Sequence, residues 1–439
     1  MDMIHLKAPG QWMNDPNGFI YYKGEYHLFY QYFPYEPRWG TMHWGHAVST
    51  DLVHWEHKGI ALFPSKYDDR NGCFSGSAIE HEGRMYLYYT GVRYLEENPE
   101  DIHLCQCERF ISAQMMITSD DGIHFDNIHD KKTILSPVDN PMTGCKTHMR
   151  DPKVWKGKDG WYMVVGTRTA ADKGKLLFYK SQDLNQWDFV NDVSKEEKFG
   201  WMWECPDYFE TDGQQVLVFS PMGILKDGKK IEDHAICTIV DFEEKSCSMD
   251  IPDEYQFFDY GLDLYAAQST TDEHGRRVIV AWARMPEVTK ENWIGMFCAP
   301  RLVEVKNGHI YFRVHPSIKE AFSREINSPK EAGEGGYRLA LELLEGEELN
   351  IGGYRIFRKD GRIRTDRRQV FGHHEDYRME FETPEVKEGY ELDIYVDPNL
   401  IEVYVNNGEY VITNTVYDLG DRIETTDQKE VRLFAVEKI

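Results

Sequence analysis

Residues 12–18 read Trp-Met-Asn-Asp-Pro-Asn-Gly, and an aromatic, strand-like run follows at residues 19–22. Asp and Asn tolerate turn geometry, Pro fixes φ, and Gly permits a positive φ. The stretch therefore predicts a stiff turn that holds one carboxylate, Asp15, at the start of a strand. An ordinary turn is the simpler interpretation, and it would suffice if this stretch stood alone.

A short pattern recurs five times: an apolar run, a polar turn with glycine, and a second apolar run. The turn glycines are Gly24, Gly83, Gly160, Gly213 and Gly275. Each copy predicts a β-hairpin, and a repeat of about 60 residues predicts a five-bladed β-propeller. An α/β barrel would need helices between the strands, and a β-sandwich would not explain the regular spacing of the hairpins.

Counting back from the turn glycines brings three carboxylates into equivalent positions. Nine residues before each glycine stand Asp15, Phe74 (with Ser75 beside it), Asp151, Glu204 and Ala266. The first strand of each propeller blade lines the central channel, so equivalent positions lie around one axis. The sequence therefore predicts that Asp15, Asp151 and Glu204 form one active site.

The chain is predicted to be all-β, with a second domain after the propeller. Residues 1–317 are assigned to the propeller, and 318–336 to a charged linker with one proline and three glycines. Residues 337–439 alternate apolar and polar side chains, and the tight turn at 406–408 separates two such runs. This pattern predicts a β-sandwich, and it contains no catalytic constellation.

Composition excludes several functions. A formal net charge of −25 disfavours nucleic acid or an anionic membrane as a partner. No run approaches the length of a membrane span, the N-terminus lacks the pattern of a signal peptide, and the eight scattered cysteines indicate free thiols in a reducing, cytoplasmic location. The histidines near Trp44 fit no metal-ligand spacing, so neither a metal nor a cofactor is expected.

Two carboxyl groups flanking one bond are what glycoside hydrolysis requires. Asp15, in a polar turn, is expected to stay ionised and act as nucleophile. Glu204 follows an apolar stretch that would raise its pKa, so it is the candidate acid/base. The charge of Arg150 would keep Asp151 ionised as an acceptor for sugar hydroxyls, and a purely structural Arg–Asp pair is the alternative.

Four stretches, taken together and in order, resemble the signatures of glycoside hydrolase family 32, the invertase-like β-fructofuranosidases. They are residues 12–18, Phe-Ser-Gly-Ser at 74–77, Arg-Asp-Pro at 150–152 and Glu-Cys-Pro at 204–206. The resemblance implies a retaining enzyme with Asp15 as nucleophile, Glu204 as acid/base and Asp151 as transition-state stabiliser. It also implies that Tyr265 lies near the acid/base and that a fructose pocket is shaped by Asn14, Gln31, Trp39, Phe74, Ser75, Arg150 and Trp293.

Several alternatives stay open at this point. The small-molecule substrate is sucrose, sucrose 6-phosphate or a short fructo-oligosaccharide. A fructosyltransferase or an exo-acting fructan hydrolase would use the same carboxylates, and a non-catalytic sugar-binding propeller is a third class. The acidic segment 94–110 fits either a loop at the rim of the site or a contact between copies, so a homo-oligomer remains an alternative.

Overall fold

The structure is a computed structural model, and it describes residues 2–138, 140, 143–195, 199–226, 229–372, 377–387, 389–426 and 428–437. Strands dominate these residues. The helical elements whose bounds are described are α1, Pro316–Ala321, and the 3-10 turns Pro329–Glu331 and Gly333–Gly335. The predicted all-β class is confirmed. No helix in the described ranges is long and apolar enough to cross a membrane.

Sheets I to V follow one another along the chain, and most of their neighbouring strands are antiparallel hairpins. Each strand order is given from edge to edge. Sheet I contains Asp2–Met3, His54–Leu62, His43–Ser49, Glu25–Phe33, Gln11–Tyr22 and Trp293–Ile294. Sheet II contains Lys132–Leu135, Phe110–Ser119, Arg84–Tyr94 and Cys73–His81.

The next three sheets repeat this arrangement. Sheet III contains Arg150–Gly157, Gly160–Arg168, Gly174–Ser181 and Asp188–Ser194. Sheet IV contains Met202–Thr211, Gln214–Met222, Ile236–Glu243 and Ser248–Asp250, with Gln256–Phe257 added beside the third. Sheet V contains Leu264–Thr271, Arg277–Ala283, Arg301–Lys306 and His309–Val314, with Met296–Phe297 added beside the second.

The five predicted glycine hairpins are confirmed. Each turn glycine lies at the turn that connects the first two strands of its repeat and has a positive φ, from 71° at Gly213 to 150° at Gly160. L-residues with side chains rarely adopt this conformation, so glycine is the residue that closes these tight turns at little cost. The turns fix the register of the strand that precedes each of them.

One strand of each sheet, here called the inner strand, contacts the inner strand of the next sheet, and the contacts close into a ring. The inner strands are Gln11–Tyr22, Cys73–His81, Arg150–Gly157, Met202–Thr211 and Leu264–Thr271. The last of them returns to contact the first. Side chains at corresponding positions of these strands therefore surround one axis.

Sheets VI and VII form the C-terminal part. Sheet VI contains Arg324–Ile326, Leu433–Ala435, Tyr337–Glu342, Glu391–Asp397, Leu400–Val405 and Tyr410–Thr415. Sheet VII contains Glu380–Glu382, Arg362–Asp366, Tyr354–Lys359, Glu348–Ile351 and Ile423–Thr425. One apolar core lies between them, to which Ile394 and Val403 contribute from sheet VI and Ile356 and Ile363 from sheet VII.

Buried charges join the C-terminal part to sheet V. The Arg301 guanidinium is fully buried, with Nη1 2.9 Å from Oδ2 of Asp259 and Nη2 2.7 Å from Oε2 of Glu402. His5 Nε2 lies 2.8 Å from Oε1 of the same Glu402. Charges removed from water need partners of opposite sign, and here each region supplies the partner for the other.

Two short hairpins complete the described strands. Leu225–Lys226 pairs with Lys229–Lys230, and Glu97–Asn98 pairs with Asp101–Cys105 inside the acidic segment 94–110. In this second hairpin, Oδ2 of Asp101 forms an ion pair with Nη1 of Arg38, 2.8 Å away. The segment thus packs against the loop that carries Trp39.

Candidate active site

Each inner strand loses register with its hairpin partner at a corresponding point. Such β-bulges bend a strand and re-aim its side chains. All the positions obtained by counting back from the turn glycines lie in or directly beside a bulge. The interruptions fall between Met13 and Pro16, Phe74 and Gly76, Arg150 and Lys153, Glu204 and Asp207, and Tyr265 and Gln268.

Asp15 lies in the first bulge and is held by two side-chain donors. Ser75 Oγ, from the neighbouring inner strand, donates to Oδ2 at 2.6 Å, and Asn14 Nδ2 donates to Oδ1 at 3.1 Å. Asn14 is itself oriented, because its Oδ1 accepts a hydrogen bond from Trp12 Nε1 at 2.7 Å. The carboxylate is therefore fixed through both oxygens.

Asp151 lies in the third bulge with φ of 67°, an uncommon conformation for a residue with a side chain. Its backbone N donates to Thr90 Oγ1 at 3.0 Å, and its Oδ2 accepts from the backbone N of Cys205 at 2.9 Å. Sheets II and IV thus both hold a residue of sheet III. Such strain persists where surrounding contacts over-determine the geometry, which is typical of functional sites.

Glu204 precedes the fourth bulge and is surrounded by polar groups. Arg150 donates to its Oε1 from Nε at 3.0 Å and from Nη2 at 2.6 Å, while the Tyr265 hydroxyl donates to its Oε2. The Tyr265 hydroxyl also lies 3.1 Å from the carbonyl of Ser220. The predicted apolar setting of Glu204 is therefore wrong, although Tyr265 does lie beside it as the resemblance implied.

Cys205 joins the carboxylates, and the sequence interpretation gave it no role. Its Sγ lies 3.6 Å from Oδ2 of Asp15 and 3.6 Å from Oδ2 of Asp151. Burial and these carboxylates raise the pKa of the thiol well above its ordinary value, so the thiol stays protonated and donates. Its position directly after Glu204, in a bulge, is the one sequence signal that could have revealed it.

Ionisation of the two aspartates differs from the expectation. Burial raises the pKa of Asp15, and the hydrogen bonds from Ser75 and Asn14 only oppose this rise. Burial likewise raises the pKa of Asp151 to about 7, against the lowering effect of the Arg150 charge. The side chain of Arg150 turns away to Glu204, because the bulge separates the directions of two consecutive side chains. The structure therefore does not support the alternative of a structural Arg150–Asp151 pair, and the Arg150 charge does not hold the pKa of Asp151 at its ordinary value.

The other predicted pocket residues lie around these groups at different distances from them. Trp39 contacts the edge of Phe74, with ring centroids 5.7 Å apart. Gln31 is buried and donates from Nε2 to the carbonyl of Cys73 at 3.1 Å, next to Phe74. Trp293 pairs in parallel with Gln11 at the start of the first inner strand. In the described ranges, no cluster of His, Cys, Asp and Glu could hold a metal ion.

The arrangement supplies what cleavage of a glycosidic bond needs. Asp15, Asp151 and Glu204 come from three different inner strands, and Cys205 connects the first two. Arg150 and Tyr265 orient the third. Donors from neighbouring strands hold the carboxylates rigidly, and rigid placement of catalytic groups is what lowers the cost of reaching a transition state.

Two family models together match nearly the whole chain. The glycosyl hydrolases family 32 N-terminal domain matches residues 5–316, and the family 32 C-terminal model matches residues 309–438. A raffinose invertase of Escherichia coli is 34% identical over 95% of this chain and 90% of its own length. A sucrose-6-phosphate hydrolase of Bacillus subtilis is 31% identical over 96% of this chain and 90% of its own.

Solved structures agree with the family models. A sucrose-6-phosphate hydrolase from Lactobacillus gasseri superposes with a TM-score of 0.85 at 26% identity, covering 100% of this chain and 93% of its own. A family 32 β-fructofuranosidase of Bombyx mori gives 0.84 at 28% identity, covering 99% of this chain and 93% of its own. With matching models over both halves and relatives above 30% identity along nearly its full length, the chain belongs to glycosyl hydrolase family 32.

Proposed function

We propose that this glycoside hydrolase is a β-fructofuranosidase, which hydrolyses the terminal β-D-fructofuranosyl bond of sucrose, sucrose 6-phosphate or a short fructo-oligosaccharide. One observation carries the proposal. The Cys205 thiol lies 3.6 Å from both Asp15 and Asp151, while the preceding residue, Glu204, is held by Arg150. Relatives named for sucrose-6-phosphate hydrolysis and raffinose cleavage support this choice of substrate, as does a Bombyx mori family member solved in complex with sucrose.

The chemistry proposed is a double displacement that retains configuration. Asp15 attacks the anomeric carbon of fructose, and Glu204 gives its proton to the departing glycosidic oxygen. Water then attacks the fructosyl–Asp15 ester and gives a proton to Glu204. Fructose leaves, and both carboxyl groups return to their starting states. The donors Ser75 and Asn14 favour the ionised form of Asp15, against its burial.

The Tyr265 hydroxyl can form a hydrogen bond with Glu204 in both protonation states that an acid/base must adopt. When Glu204 is ionised, the Tyr265 hydroxyl donates to Oε2. When Glu204 is protonated, the hydroxyl can instead donate to the Ser220 carbonyl, 3.1 Å away, and accept from the carboxylic acid. Either protonation state of Glu204 therefore keeps a satisfied partner, which a single fixed donor would not allow.

Asp151 is proposed to accept hydrogen bonds from fructose hydroxyls. It is buried within the site, and the two donors that contact it among the described residues, the Cys205 backbone N and Sγ, both fall on Oδ2. Phe74 and Trp39 offer an aromatic edge-to-face wall, and sugars pack their apolar faces against such rings. Trp293 and Gln31 are proposed to shape the same pocket from the first sheet.

The family fold is proposed to be a five-bladed β-propeller at 1–317, a linker at 318–336 and a β-sandwich at 337–439. The ring of inner strands and the five hairpin repeats support five blades. Within 318–336, the strand Arg324–Ile326 pairs with Leu433–Ala435 of sheet VI. All eight cysteines lie in the described ranges and are free thiols, which supports a cytoplasmic location.

The decisive experiment compares kcat/KM on sucrose, sucrose 6-phosphate, 1-kestose and inulin. We expect release of free fructose from sucrose or its 6-phosphate, with Glu204→Gln lowering kcat by about 10²–10⁴-fold as expected for a lost acid/base. Oligosaccharide products instead of free fructose would indicate a transferase. No turnover of any of the four sugars would contradict the proposal.

The stereochemistry needs its own measurement. NMR of the first-formed fructose should show the β configuration, because two inversions at one carbon restore it. Appearance of the inverted anomer would exclude Asp15 as nucleophile, whatever the preferred sugar turns out to be.

A further inference from the structure

Past the active site, the inner strands run through a buried polar layer. Lys153 Nζ donates to Oδ2 of Asp207 at 3.0 Å and to the Ser269 carbonyl at 2.8 Å. Gln268 Nε2 donates to the Gly76 carbonyl at 2.8 Å, and its Oε1 accepts from the backbone N of Phe19 at 2.9 Å. These bonds join all five inner strands across the axis, in a layer made of no residue assigned to the proposed reaction.

Beyond this layer, the same strands line a cavity of about 470 Å³. It is lined by Ile79, Trp155, Tyr208 and Thr270, each four residues beyond Ser75, Asp151, Glu204 and Ala266, respectively. At about 3.3 Å per residue, the cavity lies roughly 13 Å along the strands from the bulges. It is therefore a separate site at the other end of the ring, of a size that holds a small ligand.

The cavity concentrates positive charge in a strongly acidic protein. Its lining includes Lys153, Lys156, Lys158 and Arg277, against the two carboxylates Glu210 and Glu244. Lys156, Lys158 and Glu210 are exposed, whereas Lys153 is buried. The chain as a whole carries −25. A local excess of cations held against such a field favours an anionic ligand.

The inner cations are Lys153 and Arg277, and the buried carboxylate near them is Asp207. Lys153 forms the ion pair with it. Asp207 accepts from Lys153 and from the Ser269 backbone N at Oδ2, and from Ser269 Oγ at Oδ1. Among the described residues, Arg277 donates from Nη1 to Ser269 Oγ at 3.4 Å, and its guanidinium lies over the Phe209 ring at 4.9 Å. Burial lowers the pKa of Arg277, with the nearby Asp207 opposing this.

Two buried N–H groups of the lining lack an acceptor among the described residues. They are Nε of Arg277 and Nε1 of Trp155. Leaving a buried donor unsatisfied costs about 1–3 kcal/mol, and native proteins rarely tolerate it without a water or ligand. Both groups are donors shielded from solvent, so an anion in the cavity would reach them only after the surrounding side chains shift.

We propose that this cavity binds a small oxyanion: inorganic phosphate, or the phosphoryl group of a sugar phosphate. Arg277 and Lys153 supply the inner positive charge, and Lys156 and Lys158 attract the anion at the mouth. The site is distinct from the carboxylates, from which it lies roughly 13 Å along the strands.

Calorimetry tests the proposal directly. The full chain is titrated with inorganic phosphate and, in a second arm, with glucose 6-phosphate, both at constant ionic strength and with saturating fructose to occupy the active site. We expect saturable binding in at least one arm, and the tighter arm identifies the source of the phosphoryl group. Absence of saturable binding in both arms would overturn the proposal.

Variants locate the binding site. Arg277→Gln should weaken binding at least tenfold while leaving kcat on sucrose unchanged, because Lys153 and Asp207 still balance each other. The matched control is Arg313→Gln in the same sheet V, whose partner is Glu304 at 2.6 Å, and it should bind as wild type. Undiminished binding in Arg277→Gln would overturn the proposal.

A second variant covers the case in which Arg277→Gln does not fold. The double variant Lys156→Gln and Lys158→Gln changes only exposed side chains, and it should weaken binding severalfold at low salt. Wild-type affinity in this variant would place the anion elsewhere and contradict the proposed cavity.

Discussion

The inner strands of sheets I to V and the strands of sheets VI and VII all have antiparallel neighbours, yet they differ in regularity. Every inner strand is interrupted by a bulge. The described strands of sheets VI and VII pair without a register shift, as where Glu391–Asp397 and Leu400–Val405 align residue by residue. Regular pairing packs a core, whereas irregular pairing aims side chains out of the ladder. The proposed chemistry lies wholly on the irregular strands.

Buried aspartates differ between the two regions in the same way. Asp397, in sheet VI, has Nζ of Lys7 2.9 Å from its Oδ2, and His5 is also close to it. Despite burial, these cations lower the pKa of Asp397 below its ordinary value. Asp151, in a bulge, forms no ion pair with a described residue, and burial raises its pKa against the lowering effect of the Arg150 charge. In sheet VI the ionised carboxylate of Asp397 stabilises the fold, whereas in the bulge the ionised carboxylate of Asp151 lowers the free energy of unfolding.

The largest expected effect separates the regions by activity. Asp15→Asn keeps the shape of the side chain and removes the nucleophile, so kcat/KM should fall by a factor on the order of 10⁴ or more. The same change in a regular strand, Asp393→Asn, removes an ion pair with Arg338 and should leave kcat/KM within about twofold of wild type. Equal losses in steady-state kinetics of the two variants would break the comparison.

Next in size is the junction between the regions. Arg301→Met removes the cation that the buried carboxylates of Asp259 and Glu402 share. The free energy of unfolding, measured in urea, should therefore fall by about 3–5 kcal/mol. The matched change Arg432→Met removes an exposed pair with Glu325 at 2.8 Å and should cost less than about 1 kcal/mol. A cost below about 1 kcal/mol for Arg301→Met would show that the two regions do not depend on this junction.

The dependence of stability on pH should have opposite signs at the two buried aspartates. The pKa of Asp151 rises from 3.8 to about 7 on folding, so its ionisation opposes folding and its contribution worsens as the pH rises across that window. Asp151→Asn should therefore raise Tm at pH 8, by roughly 2–4 °C, and leave it nearly unchanged at pH 4.

Asp397 provides the reverse case. Its folded pKa is lowered, so its stabilising contribution is present above its ordinary pKa and is lost as the pH falls below it. Asp397→Asn should accordingly lower Tm at pH 8. Thermal scans of both variants at the two pH values check the signs, and a lower Tm for Asp151→Asn at pH 8 would refute the contrast.

The smallest expected effect sharpens the assignment of sheets VI and VII to packing. Ile394 is fully buried in their common core, so Ile394→Val should cost about 0.5–1.5 kcal/mol of unfolding free energy. Its kcat and KM should match wild type. A change of more than twofold in kcat would mean that the C-terminal core influences the site directly.

The repeat made much of the fold and the site predictable. Gly24 and its four counterparts mark turns that need a positive φ, and counting from them led to the positions where the bulges lie, although the bulges themselves were not predicted. The pattern could not reveal which way a bulged side chain points. Arg150 and Asp151 are adjacent in sequence, yet the extra residue and the φ of 67° send the guanidinium to Glu204. The burial of Asp15 and the position of Cys205 depend on neighbouring sheets, which no local pattern encodes.

The ring also has a consequence for synthesis of the chain. The strand that carries Asp15 begins at Gln11, but its parallel neighbour begins at Trp293, and Gln268 supplies the acceptor for the backbone of Phe19. At about 5–20 residues per second, a ribosome takes tens of seconds to make that span. During this interval the nascent first sheet presents an unpaired strand edge, the kind of surface that invites aggregation and that chaperones recognise.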